Sequence, residues 1–315
     1  LVSVDYHHSA LGSVVRGLQV SASYQDQLER QERILASAPG VRRDERNEVK
    51  TAGACLQLNS DIGEHHALTY GAEYYRDRVS SRRTDLNLAT GKETSKIGRV
   101  ADGARYWSEA VFLQDEYRPV EPLVMNLGVR YSQFSLRATS RHQTTGDLEL
   151  SSNPHACTGS ANASYRLRAG LYLMGGLGQG FRAPNVDDVT VLGSFAGGFE
   201  VPSSHLRPEE AINYELGLKR QGRRLTGTVF GFLGSYRNLI GRAPGLFEGL
   251  PFLDANHDGI QQANEETVYE RNNLGRASIY GLEMEGSGRL ARGVSLFGTF
   301  AWTRGEDISA RQPLT

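Results

Sequence analysis

The residues best suited to chemistry lie in one acidic stretch. Asp254, Asn256, Asp258, the backbone carbonyl of Ile260 and Glu265 alternate at the spacing D-x-N-x-D-G-I-x4-E. That order wraps oxygen donors around Ca²⁺: Gly259 allows the sharp turn and Glu265 can close the site with both carboxylate oxygens. A plainer reading, an acidic turn that matches by chance, stays open. The two cysteines carry less. Cys55 lies on the strand face opposite Ala52, Ala54, Leu56 and Leu58, whereas Cys157 shares a face with Ala161, Ala163 and Tyr165. The pair would point to opposite sides of a common sheet, which disfavours a disulfide. Neither sits in a C-x-x-C or Cys/His array. No Ser/His/Asp set with a nucleophile-elbow context is present, so the chain is read as non-enzymatic with no catalytic residue.

These residues sit between strands. At 170–219 the chain reads G-L-Y-L-M-G-G-L-G-Q-G-F-R-A-P, a loop, then L-R-P-E-E-A-I-N-Y-E-L-G-L-K. Ile212, Tyr214, Leu216 and Leu218 share one face; Asn213, Glu215, Gly217 and Lys219 share the other. A period of two excludes a helix, and the polar second face excludes a greasy core on both sides. One face meets oil and the other water.

About twelve such segments follow one another with no convincing helix between them. Their connections alternate in length. Those at 10–13, 63–65, 118–122, 167–168, 221–224 and 289–293 are short. Those at 31–46, 80–105, 139–154, 182–210 and 238–268 are long and rich in Arg, Glu, Asp, Ser, Gly and Pro. In an up-and-down sheet this puts every tight turn at one end and every long loop at the other, as in an all-β, antiparallel transmembrane barrel. A membrane-spanning sheet must close, because hydrocarbon leaves unpaired backbone groups unsatisfied. Tyr24, Tyr131, Tyr236 and Trp302 near strand ends fit the aromatic girdles of such a barrel. The 315 residues carry a net charge of −1, which gives no electrostatic footprint for nucleic acid. No apolar run approaches the ~20 residues of a membrane helix.

With F-R-A-P (Phe181, Arg182, Ala183, Pro184), L-R-P-E (Leu206 to Glu209) and I-N-Y-E-L-G-L-K, the chain resembles the barrel of TonB-dependent outer-membrane receptors. A-V-F-L-Q-D-E-Y-R from Ala110, L-G-V-R-Y from Leu127 and I-Y-G-L-E-M-E from Ile279 support the likeness over essentially the whole chain. The resemblance implies a barrel of ~22 strands, plugged by an N-terminal domain, that imports ferric siderophore, haem or cobalamin on energy from TonB. Residues 1–315 are then expected to be part of that barrel, with a plug and TonB-contacting segment upstream and terminal strands downstream. The implied setting is the outer membrane of a Gram-negative bacterium, with outer-membrane lipid around the wall and the long loops extracellular.

Within the family, haem receptors commonly place a His in the loop after F-R-A-P. Here residues 185–204 hold none, and His205 stands at the position of an N-P-N-L box, reading S-S-H-L. His205 is either an imidazole facing the extracellular funnel or an ordinary polar loop residue. Arg182 also has two readings. It is a cation that attracts anionic ligands by paired hydrogen bonds, or it pairs with a lumen carboxylate or holds the loop start where Pro184 ends the strand; the structural role is favoured. The importer of an iron chelate is set against a passive barrel or adhesin that binds a surface partner through its loops.

Overall fold

A computed structural model describes the chain except residues 10, 13, 35–38, 97, 143–145, 196, 255, 292 and 315. The expected turns at 10–13 and 289–293, the loops at 31–46, 80–105, 139–154 and 182–210, and the spacer Ala255 of the acidic motif therefore lie partly or wholly outside the described residues.

Among the described residues, seventeen strands form a single sheet. In chain order the wall begins with β1 (Val2–Ser9), β2 (Val15–Ile34), β3 (Val41–Ile62) and β4 (His66–Asn87), followed by the short β5 (Glu93–Lys96). It continues through β6 (Arg105–Val120) and β7 (Leu123–His142), the short β8 (Gly146–Ser152), then β9 (His155–Arg168) and β10 (Leu171–Arg182). A five-residue helix, α1 (Val186–Thr190), and the short β11 (Gly193–Phe195) and β12 (Gly198–Val201) precede β13 (Glu209–Gln221). The wall closes its run with β14 (Leu225–Pro244), β15 (Val268–Ala291) and β16 (Val294–Asp307), and β17 (Gln312–Pro313) pairs on the last of these. Twelve strands are long, as the alternation predicts, and each pairs antiparallel with the next long one.

The wall is inverted relative to a water-soluble protein. Leu216 is 64% exposed and Val111 56%, and Leu56, Val129, Leu173, Leu218 and Val229 also stand outward. These are the apolar faces identified by parity, and their exposure suits a lipid solvent. The opposite face carries polar or small residues with aromatics such as Phe230 and Phe232 set among them. Gly217 shows why small ones are needed there: a Cβ on it would lie 2.4 Å from Cδ1 of Phe230, its partner on β14.

The sequence expectation of loops over 31–46 and 80–105 needs correction. β2 extends to Ile34, β3 starts at Val41 and β4 reaches Asn87. These projections have charged residues on both faces, so no apolar alternation marks them. Ion pairs hold them instead: Arg30 with Asp44 on the neighbouring strand, Arg33 with Glu45, and Arg83 with Asp85. Both cysteines are free, Cys55 half-buried and Cys157 exposed.

Buried apolar side chains gather at the long-loop end rather than along the wall. Val189 of α1 and Leu206 pack with Val79 of β4, Leu136 and Ala138 of β7 and Leu150 of β8, flanked by Val49 of β3, Tyr106 of β6 and Ile240 of β14. A second cluster joins Phe199 and Val201 of β12 to Val268 of β15. The segment after F-R-A-P is therefore folded against the inner faces of the wall at its mouth.

Candidate functional site at the long-loop end

The sequence builds this cap in small steps. Pro184 ends β10, since it cannot donate to the ladder. Asn185 then caps α1: its side chain accepts from the Asp188 amide at 2.8 Å, and Asp188 accepts from the Asn185 amide at 3.1 Å. This reciprocal capping box satisfies two otherwise orphaned donors and fixes the Asp188 carboxylate.

Arg182, the cation of F-R-A-P, meets that carboxylate through Nη1 at 2.6 Å. Its Nε and Nη2 donate to Glu209 Oε2 and Oε1 at 2.8 and 2.9 Å. Glu209 is the acid of L-R-P-E and the cross-strand partner of Arg182. The Ile240 amide also donates to Glu209 Oε1, at 2.8 Å. The two family-like motifs thus grip one another, and all three guanidinium nitrogens of Arg182 are engaged with carboxylates. The geometry is that of the structural pairing.

A second junction lies deeper. Glu200 of β12 has no exposed surface. Its carboxylate accepts from Arg99 Nη2 at 3.1 Å, Arg242 Nε at 2.9 Å and Arg271 Nε. Arg271 also faces Asp187 and Asp188 at 3.3 and 3.6 Å, which joins the two junctions. The Arg242 guanidinium lies 4.2 Å from the Phe195 ring centroid, a cation–π contact. Burial acts to raise the Glu200 carboxyl, but hydrogen bonds from Arg271 and Arg242 outweigh it and hold the group below its ordinary range. Such a charge is tolerable inside a protein only because it is paired. Sequence reasoning missed Glu200 and its three arginines. The one local signal was an acid inside the apolar run G-F-E-V, where an unpaired carboxylate would be costly.

His205 lies exposed just beyond Ser203, on the loop entering β13. It is not among the groups joined by the charged network.

The acidic stretch forms a separate turn, between an isolated bridge of Phe252 with Thr267 and the exposed tip. Asp254 accepts from the amides of Asp258 at 3.2 Å and Gly259 at 2.8 Å. Asp258 accepts from the Ile260 amide at 2.8 Å and from Gln262 Nε2 at 2.9 Å. The Ile260 amide is the first cause of the lowered pKa of Asp258. His257 and Gly259 adopt φ of 58° and 73°, the left-handed bend that Gly259 accepts without strain. Glu265 accepts from the Gln262 amide at 2.9 Å. Among the described residues no group of three or more His, Cys, Asp or Glu side chains is gathered as for a metal. The donor set has calcium's chemistry, but the acids here hold backbone amides.

Residues 1–314 match the family model described as "TonB dependent receptor-like, beta-barrel". The chain belongs to this family. Its members are outer-membrane receptors, and that membrane is the setting of this barrel. An alignment of 201 positions is 26% identical to Hemoglobin-haptoglobin utilization protein B of Neisseria meningitidis serogroup A / serotype 4A, covering 59% of this chain and 24% of that protein. Among solved structures, the copper transporter OprC superposes with a TM-score of 0.77 at 16% identity, over 99% of this chain and 47% of that one. The unliganded ferric citrate transporter FecA gives 0.69 at 16% identity, over 98% and 42%. The Serratia marcescens hemophore receptor HasR, in complex with its hemophore HasA and heme, gives 0.67 at 17%, over 97% and 47%. At these identities the structural likeness is one of fold. The chain spans less than half the length of these relatives.

Proposed function

We propose that the protein containing this barrel imports an iron chelate, a ferric siderophore or haem, into the periplasm on energy from TonB, without covalent chemistry of its own. Membership of the receptor family over residues 1–314 carries the reading. Relatives named for ferric citrate, for a hemophore with heme and for hemoglobin-haptoglobin utilisation support iron as the cargo.

In this reading the cap is the ligand's landing surface. Arg182 and Glu209 set the edge of the mouth, and exposed His205 offers an imidazole to haem iron. Ca²⁺ orders the turn carrying Asp254, Asn256, Asp258, Ile260 and Glu265, provided that Glu265 leaves the Gln262 amide to close the site. Deleting the gene should abolish growth on the cognate chelate as sole iron source, with rescue only in a TonB-positive strain. Haem capture by the intact protein and by His205→Ala tests the imidazole; equal binding would remove His205 from the ligand set.

A further inference from the structure

We propose that the outer wall of β3, β4, β6 and β7 carries a site for the phosphorylated headgroup of the outer-leaflet lipid, made by Arg78, Arg105 and Arg137 with Lys50 and Arg76 beside them. The argument starts from register. Lys50 pairs with Arg78, Arg78 with Arg105, and Arg105 with Arg137 across three successive strand boundaries. Directly paired residues point to the same side of a sheet, so four cations stand in one row. At ~4.8 Å between strands the row is ~14 Å long.

Parity puts this row on the lipid side. Tyr74 of β4, Val111 of β6 and Tyr131 of β7 are outward and exposed; Arg78, Arg105 and Arg137 have the same parity on the same strands and are exposed too. Their inward neighbours Val79, Ala104 and Leu136 are buried in the cap cluster.

Height follows from spacing. The row lies four residues beyond Tyr74 toward the long loops, ~13 Å along the strand at ~3.3 Å per residue. A strand tilt of ~40° makes that ~10 Å above the ring. Tyr and Trp mark the headgroup level, so the cations stand where the phosphates of the outer leaflet lie.

The charges are available. Lys50 is held by Glu48 and Asp26 at 3.2 and 3.9 Å. Arg78, Arg105 and Arg137 enter no ion pair among the described residues, whereas Arg30 and Arg33 on the neighbouring β2 are both matched by acids. One row below, the guanidinium of Arg76 lies over the Trp107 ring at 5.8 Å, and its buried Nε has no acceptor. On the same face Glu109 lies four residues below Arg105 on β6, Asp115 farther down is held by His66 at 2.7 Å, and Glu149 of β8 accepts from the Thr139 hydroxyl at 2.8 Å. Like charges placed directly opposite on a sheet repel, so a row of unmatched arginines calls for an anion from outside the chain. Guanidinium forks match phosphate oxygens in pairs. The leaflet facing the long loops of a Gram-negative outer membrane presents such phosphates on an acylated glucosamine disaccharide.

The test is native mass spectrometry of the full-length protein in detergent, titrated with purified lipid A, with lipid A stripped of both phosphates, and with inorganic phosphate. The wild type should retain one lipid A through collisional activation. Arg78→Gln/Arg105→Gln/Arg137→Gln should weaken that retention at least tenfold, while Arg223→Gln/Arg224→Gln/Arg289→Gln at the short-turn end keeps it. Phosphate-free lipid A should bind the wild type no better than the triple variant binds lipid A. Heat-modifiable gel mobility reports assembly, and if the triple variant does not assemble, the single Arg105→Gln is read in its place and should weaken retention severalfold. Undiminished lipid A on an assembled variant, equal retention of the phosphate-free lipid, or displacement of lipid A by equimolar inorganic phosphate would overturn the site.

Discussion

Arg182 and Glu209 face one another as cross-strand partners of β10 and β13 and are joined by two parallel hydrogen bonds, Nε to Oε2 at 2.8 Å and Nη2 to Oε1 at 2.9 Å. The third arm of the same guanidinium reaches Asp188 on α1, so one side chain ties the wall to the cap. Arg182→Ala leaves a half-buried Glu209 without its cation and leaves buried Asp188 to the more distant Arg271 at 3.6 Å. Breaking a buried pair costs ~3–5 kcal/mol, and the partial exposure of Arg182 reduces this to ~1–3 kcal/mol. Hydrogen exchange over residues 185–208 should rise accordingly. Arg182→Lys should recover only part of the protection, because an ammonium cannot reproduce the fork.

Glu200 sets the pH range of the cap. Its carboxyl is held below the ordinary value of 4.5, so the stability it contributes is present above about pH 4.5 and is lost as pH falls through its depressed native value. Protease resistance of residues 185–208 should be constant from about pH 8 to 5 and collapse only at stronger acid. Glu200→Gln, which leaves Arg99 and Arg242 against a neutral amide and Arg271 with Asp187 and Asp188, should expose the segment at pH 7.

Packing predicts a contrast between Gly217 on the inner face of the wall and Gly231 on the outer face, opposite Leu216. Gly217→Val should block assembly, because its Cβ would fall 2.4 Å from Phe230 and 2.5 Å from the Val229 carbonyl. Gly231→Ala should assemble, since the nearest atom to its Cβ would be at 3.9 Å. Loss of the heat-modifiable band in the first variant and its retention in the second is the expected pair of results.

Calcium binding at the acidic turn should make the 245–267 loop resist protease more strongly when Ca²⁺ is added, with a midpoint of ~10⁻⁴–10⁻³ M. Asp258→Ala should abolish that increase. An identical cleavage pattern with and without Ca²⁺ in the wild-type protein would leave the stretch as a hydrogen-bonded turn.

The long strands were legible because lipid and lumen impose opposite demands on alternate residues: Leu216 and Leu218 against Glu215 and Gly217 is a pattern that only a two-solvent sheet requires. Sorting of short and long connections by parity gave the ends of the wall. The strand projections above the membrane were not legible, since water bathes both faces there and Arg30–Asp44 pairing replaces alternation. The cap was hidden for another reason. Glu200 finds Arg271 and Arg99 at separations of 71 and 101 residues, and no local pattern encodes such distant partners. Arg182 was singled out in sequence, but its second partner Asp188 depends on the capping box of α1, a helix of five residues, too short to show a period.

Uptake of iron-55 presented as ferric citrate, ferric siderophores and haem, in cells expressing the full-length protein with and without TonB, tests the importer reading most directly. Accumulation of one of these chelates that saturates, requires this protein and ceases without TonB is the predicted result. Uptake that is unsaturable, or unchanged when TonB is removed, would contradict it and leave a passive barrel.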